Sequence, residues 1–198
     1  MKELLGVLAI VIGLIGYAPY FRTIFSGQTK PHAFTWLVWG ILTAIAFGGQ
    51  LVGKGGSGAW VTGFTAFISF TIFVLALIKG RRDFPFADWL CLGGCAVALA
   101  LWAVTSDPLI AIVLITLIDM LAFIPTFRKS YSKPYSEPAF TYTLSGLKFL
   151  VALFALQKIS AVTVLYPASL VFTNGLFVLM LVVLRKNQHN LHGHDKTL

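Results

Sequence analysis

The chain has 198 residues, of which 58% are hydrophobic and only 11% charged, and its mean hydropathy is +0.85. Soluble domains carry about 25% charged residues, so composition argues against a water-soluble fold and for a bilayer protein. The 15 Lys+Arg against 7 Asp+Glu give a net charge of +8, which in a soluble domain would raise nucleic acid as a partner. In a membrane protein the same excess reports orientation, and no nucleic-acid partner is expected.

Cut at its charge clusters and Gly/Pro/Ser turns, the chain yields seven apolar segments, roughly 4–21, 33–53, 58–78, 86–104, 109–127, 139–157 and 162–184. Each is long enough to cross about 30 Å of hydrocarbon as a helix. Membrane strands would alternate apolar and polar residues over about ten positions, whereas Leu109–Leu117 and Leu176–Leu184 are apolar all round. The expected fold class is an all-α membrane protein with seven transmembrane helices. The first segment is too long for a signal-peptide core and has no clear small-residue cleavage site, so it reads as a helix.

Sorting the basic residues by side places eleven together: Arg22, Lys30, Lys79, Arg81, Arg82, Arg128, Lys129, Lys133, Arg185, Lys186 and Lys196. Lys2, Lys54 and Lys158 fall on the other side, and Lys148 falls inside a span. The positive-inside rule then puts the N-terminus outside and the C-terminus in the cytoplasm. Cys91 and Cys95 share a helix face in the fourth span, where small side chains serve close packing. The His-containing stretch after Leu184 reads as a solvated, disordered tail. No metal site is expected.

The chain matches itself at an offset of 106 residues. Pro19, Phe21 and Arg22 fall on Pro125, Phe127 and Arg128; Ser26 falls on Ser132; Ala33-Phe34-Thr35 falls on Ala139-Phe140-Thr141; Gly40 falls on Gly146; Ala46 falls on Ala152. The nine identities need no gap, which marks an internal repeat. Spans 1–3 thus correspond to spans 5–7. One extra span between the triplets makes them parallel repeats.

A 3+1+3 order, parallel repeats, an outside N-terminus and a proline near the cytoplasmic end of spans 1 and 5 resemble the SWEET and PQ-loop transporter superfamily. The family's Pro-Gln dipeptide stands here as Pro19-Tyr20 and Pro125-Thr126, without the glutamine. Pro31 and Pro138 sit at the mouths of spans 2 and 6 rather than inside them. The resemblance implies a first three-helix bundle over 1–80, a linker helix over 81–106, a second bundle over 107–186 and a cytoplasmic tail over 187–198. It also implies a bacterial inner (plasma) membrane location.

Two ionisable residues lie where hydrocarbon is expected, Asp119 in span 5 and Lys148 in span 6, each costing roughly 2.5–3.5 kcal/mol at a helix centre. Counting residues from the basic end puts both near mid-membrane, level with Asn174 in span 7. Their repeat equivalents are Gly13, Leu42 and Ile68. The first triplet offers instead Thr35, Trp36 and Trp39 on span 2, with Thr62, Thr65 and Ser69 on one face of span 3. An asymmetric pocket follows, with Asp119, Lys148, Asn174, Trp39, Trp36, Thr65 and Ser69 as candidate substrate-binding residues. Two alternatives stand beside it: a packing salt bridge between Asp119 and Lys148, and interfacial anchoring by Trp36 and Trp39. The resemblance further implies that Asn174 matches the span-7 asparagine that contacts sugar in SWEETs. Pro19 and Pro125 loosen the helix ahead of them, and with Gly40 and Gly146 they are the candidate hinge and gate residues.

The function expected is transport of a small polar solute, a sugar or similar metabolite, by alternating access, as a uniporter or coupled to protons. The alternative is a ligand or peptide receptor, or a sorting protein, on the same fold. No catalytic residue and no cofactor are expected, because no nucleophile has a base at helical spacing and no His lies in a span. The expected partners are the solute and the bilayer, with Arg22 and Arg128 at anionic lipids of the cytoplasmic face. Two complete triplets make a monomer sufficient and leave homo-oligomers open.

Overall fold

A computed structural model describes residues 1–80, 86–135 and 137–194. Among them run seven α-helices: α1 (Lys2–Phe25), α2 (Ala33–Val52), α3 (Trp60–Lys79), α4 (Phe86–Thr105), α5 (Pro108–Ser132), α6 (Ala139–Ala155) and α7 (Ala161–His194). A single 3-10 turn, Gly56–Ala59, precedes α3. The expectation of an all-helical chain is met among the described residues. Five segments, α1, α2, the turn with α3, α5 and α7, are long and apolar enough to cross a membrane, whereas α4 and α6 each contribute a shorter apolar stretch.

The outer surface is apolar as well as the core. On α1 the exposed residues include Leu4, Val7, Leu8, Val11, Leu14 and Ile15, while the buried ones are Gly6, Ala9, Gly13, Gly16 and Ile24. A helix with small residues inward at spacings of three and four and large apolar residues outward packs backbone to backbone and meets hydrocarbon with the rest. In water such an exterior would aggregate.

The repeat is visible in the architecture. α5 and α6 begin 106 residues after α1 and α2, the same offset as the sequence match. α3 packs on both α1 and α2, as α7 packs on both α5 and α6. Between the triplets α1 lies against α6 and α5 lies against α2, and α3 touches α6 as α7 touches α2. Exchanging each helix for its repeat partner therefore maps every one of these pairings onto another. α4 packs on α5 and α2.

Some ends differ from the sequence reading. α6 stops at Ala155 because Leu156 turns to extended backbone (ψ 127°) and Gln157 N–H donates to the Gly55 carbonyl at 2.9 Å. α7 runs on through His194, past Leu184 where the last span was expected to end. Residues 81–85, 136 and 195–198, with Arg81, Arg82 and Lys196, lie outside the described residues.

At the end opposite the main basic cluster, hydrogen bonds stitch the two triplets together. Gln50 Nε2 donates to the Thr163 carbonyl at 3.1 Å and Ser57 Oγ to the Ala155 carbonyl at 3.1 Å. Lys2 Nζ reaches from the start of α1 to the Leu156 carbonyl at 2.6 Å, where a cation suits the free carbonyls of a helix C-terminus. Gly58 is needed here: a Cβ would fall 2.7 Å from both the backbone nitrogen and Cα of Leu156. At the basic end, by contrast, Arg185 binds within its own half. Its Nε and Nη2 donate to the Pro134 carbonyl at 3.0 and 2.8 Å, and Nη2 donates to the Glu137 carbonyl at 2.7 Å.

Candidate functional site

Lys148 sits nine residues into α6, on its buried side, with 2% of its surface exposed. From there the side chain crosses to the other triplet. Its Nζ donates to Thr65 Oγ1 on α3 at 3.1 Å and to Tyr17 Oη on α1 at 3.3 Å. It also lies over the Tyr17 ring at 4.6 Å and the Phe149 ring at 4.9 Å, contacts that stabilise a cation away from water. Room for the stem comes from Gly13, whose Cβ would lie 3.5 Å from Lys148 Cδ and 2.9 Å from the Phe64 ring. Thr65 Oγ1 is itself oriented by donating to the Val61 carbonyl at 2.7 Å.

Asp119 is likewise buried, at 7% exposure on α5. The salt bridge considered from the sequence is not what the structure has: among the described residues the Lys148 ammonium is held by hydroxyls and rings, not by Asp119. Its side chain lies within electrostatic range of Tyr166 on α7 and Cys95 on α4. Tyr166, 1% exposed, is in the same range of Tyr17. Lys148 with Tyr17 and Thr65 thus joins the two triplets, whereas Asp119 is buried separately on α5.

The remaining candidates lie around Lys148 or away from it. Ser69 is buried on the same α3 face as Thr65, one turn further along. Asn174 is 3% exposed, but its Nδ2 donates back to the Leu170 carbonyl at 2.8 Å, so one of its donors is spent inside α7. Gly146 faces the Asn174 Cβ, at ordinary contact distance for an added methyl (3.4 Å). Gly40 takes the Phe70 ring against its backbone, where a Cβ would come within 2.9 Å, which makes it a packing position between α2 and α3.

Trp36 and Trp39 meet edge to face at 5.2 Å between centroids. Trp36 is buried in a cluster with Ile24, Ile68 and Ile72, and its Nε1 donates to Tyr20 Oη at 3.2 Å. An interfacial anchor would stand outside the bundle, so the anchoring alternative does not describe Trp36; Trp39 is half-buried beside it. Pro19 lies inside α1, exposed, one residue before Tyr20. Pro125 lies within the span of α5, and its side chain is outside the described residues. Cys95 is buried and Cys91 partly so, neither in a disulfide, and both pack in the main core. Among the described residues no group of three or more His, Cys, Asp or Glu could hold a metal ion.

Sequence reasoning missed Tyr17, which accepts from Lys148, and the Gln50, Ser57 and Lys2 bonds that close the far end. No protein-family model, curated protein or solved structure matches this chain.

Proposed function

We propose that the chain is a membrane transporter of a small polar solute, alternating its access by rocking two three-helix halves on a SWEET- or PQ-loop-like frame. One observation carries this reading. Two ionisable side chains of opposite type are buried in the same bundle, yet the lysine is held by neutral hydroxyls of the other half and not by the carboxyl. Intramembrane ions cost free energy and tend to pair when their role is structural. Keeping them apart suits a place that a solute enters, between repeats whose helix pairings interchange. The stitched end matches a gate shut on the side that the charge distribution makes external, in a bacterial inner membrane with the N-terminus outside.

Thermal stabilisation of the purified protein across a metabolite library identifies a ligand, since only binding to the folded state raises the midpoint. Solute counterflow in proteoliposomes then tests transport: exchange of the labelled hit is the expected result. Binding without exchange would replace the transporter with a receptor. Equal uptake by Asp119→Asn and wild type under a pH gradient would make it a uniporter.

A further inference from the structure

Resting on the solute-binding reading above, we infer a substrate class: a small monovalent carboxylate, bound by the Lys148 ammonium between the two halves. Lys148 belongs to the second triplet, but its Nζ is held by the first, donating to Thr65 Oγ1 on α3 at 3.1 Å and to Tyr17 Oη on α1 at 3.3 Å. These bonds take two of the three N–H donors of an ammonium. Both are long beside the roughly 2.7–2.9 Å of an ammonium on a carboxylate. The Tyr17 and Phe149 rings flank the nitrogen at 4.6 and 4.9 Å. An ammonium at this position, 2% exposed, rests on neutral groups alone among the described residues, and a buried cation gains most from an anion in direct contact.

The hydrogen-bonding groups beside Lys148 favour a ligand that only accepts. One helical turn from Thr65, on the same α3 face, Thr62 is fully buried with its hydroxyl unbonded among the described residues. Its O–H and the third N–H of Lys148 are donors, and an ionised carboxylate accepts at both oxygens and donates nowhere. A sugar brings hydroxyls, the kind of partner that Thr65 and Tyr17 already supply, so the ammonium gains little from the exchange. A carboxylate brings the opposite charge, and charge-assisted bonds are roughly twice as strong as neutral ones. One ammonium compensates one negative charge, so a dianion would carry an unpaired charge inward. Phe64, Tyr17 and Phe149 crowd the lysine and leave space for a short skeleton only. The Lys148 bonds also tie α6 to α1 and α3, so halves that rock apart must break them. A carboxylate that replaces the two hydroxyls releases this tie without stranding the ammonium, which links loading to opening.

The test uses the full-length purified protein with sodium acetate, lactate and butyrate as probes, read by thermal midpoint and by titration calorimetry. Each is compared with its carboxamide, which keeps the shape and lacks the charge; sodium chloride at matched ionic strength and glucose are the controls. At least one carboxylate is expected to bind about tenfold or more tightly than its carboxamide. Lys148→Met should abolish that preference. Tyr17→Phe keeps the ring and removes one hydroxyl that the carboxylate displaces, so the preference should widen by about two- to tenfold. A preference that stays the same or narrows in Tyr17→Phe overturns the placement at Lys148, which keeps the test decisive where Lys148→Met does not fold. Equal binding of carboxylate and carboxamide, equal stabilisation by sodium chloride, a preference that survives in folded Lys148→Met, or no binding by any probe also overturns the inference. Binding of glucose with no carboxylate bound overturns it and leaves transport standing. Binding that follows the charge but shows no counterflow upholds the site and removes the transport reading instead.

Discussion

Replacing Gly58 by Ala tests whether the stitched end is a gate that opens. The added Cβ would stand 2.7 Å from the backbone N and Cα of Leu156, where ordinary van der Waals contact begins near 3.4 Å. Backbone cannot rotate away as a side chain can, so the loop before α3 and the loop after α6 must separate by several tenths of an ångström. Overpacking of this kind costs about 1–3 kcal/mol, and here the cost falls on the closed arrangement alone. An open state in which the loops part feels none of it. The closed-to-open ratio should then shift by about 5–150-fold. The assay is the labelling rate of a Thr62→Cys reporter by a membrane-impermeant maleimide, in a background with Cys91 and Cys95 replaced by Ala. Thr62 is fully buried and its hydroxyl has no hydrogen-bond partner among the described residues, so the reporter removes no described bond. Faster labelling in Gly58→Ala, with the protein still folded by thermal scan, is the expected outcome. Equal rates in a folded variant would refute a gate at this end.

Gln50→Leu removes the Nε2 bond to the Thr163 carbonyl; at roughly 0.6–1 kcal/mol for an intramembrane hydrogen bond it should speed labelling of the same reporter by only a few-fold. Lys148→Met exchanges a buried ion for an apolar chain of similar length, so the thermal midpoint should hold or rise while solute binding is lost; a midpoint that falls steeply would make Lys148 structural. Arg185→Lys cannot keep the forked bonds to the Pro134 and Glu137 carbonyls, and should lower stability by about 1–2 kcal/mol in detergent without changing the relative affinities of bound solutes. Gly13→Asp combined with Phe64→Leu restores the repeat's symmetry and brings a carboxylate toward the Lys148 stem; solute binding should vanish through internal pairing, and wild-type affinity in the folded double variant would contradict the assigned role of Lys148.

The helices were legible because hydrocarbon demands long apolar runs, and the repeat offset placed the starts of α5 and α6 from those of α1 and α2. Asp119 and Lys148 stood out because an ionisable residue in such a run is costly. Their surroundings were hidden for physical reasons. Lys148 finds Tyr17 131 residues away, through the contact of α1 with α6, which joins non-equivalent positions of the repeat and leaves no periodic trace. The stitched end relies on the Ala155, Thr163 and Gly55 carbonyls as acceptors, and a backbone carbonyl carries no residue signature. Trp36 was ambiguous because an aromatic near a span end suits either an interface or a core. Its bond to Tyr20 and its burial among isoleucines decide for the core.

The asymmetry between the repeats is itself informative. At the column shared by Gly13 and Asp119, the first half gives up a side chain, and the space is taken by Phe64 and the stem of Lys148. At the column shared by Leu42 and Lys148, the first half keeps a fully buried leucine in the main core. A symmetric pair of halves could have set an Asp or a Lys in both columns, and would have placed like charges in one bundle or paired each ion within the protein. The chain instead carries one of each, both in the second half, and spends a glycine of the first half to let the lysine cross to Tyr17 and Thr65. A divergence that creates one cation and one carboxyl and then separates them is hard to derive from packing alone, because packing would favour either an ion pair or two leucines.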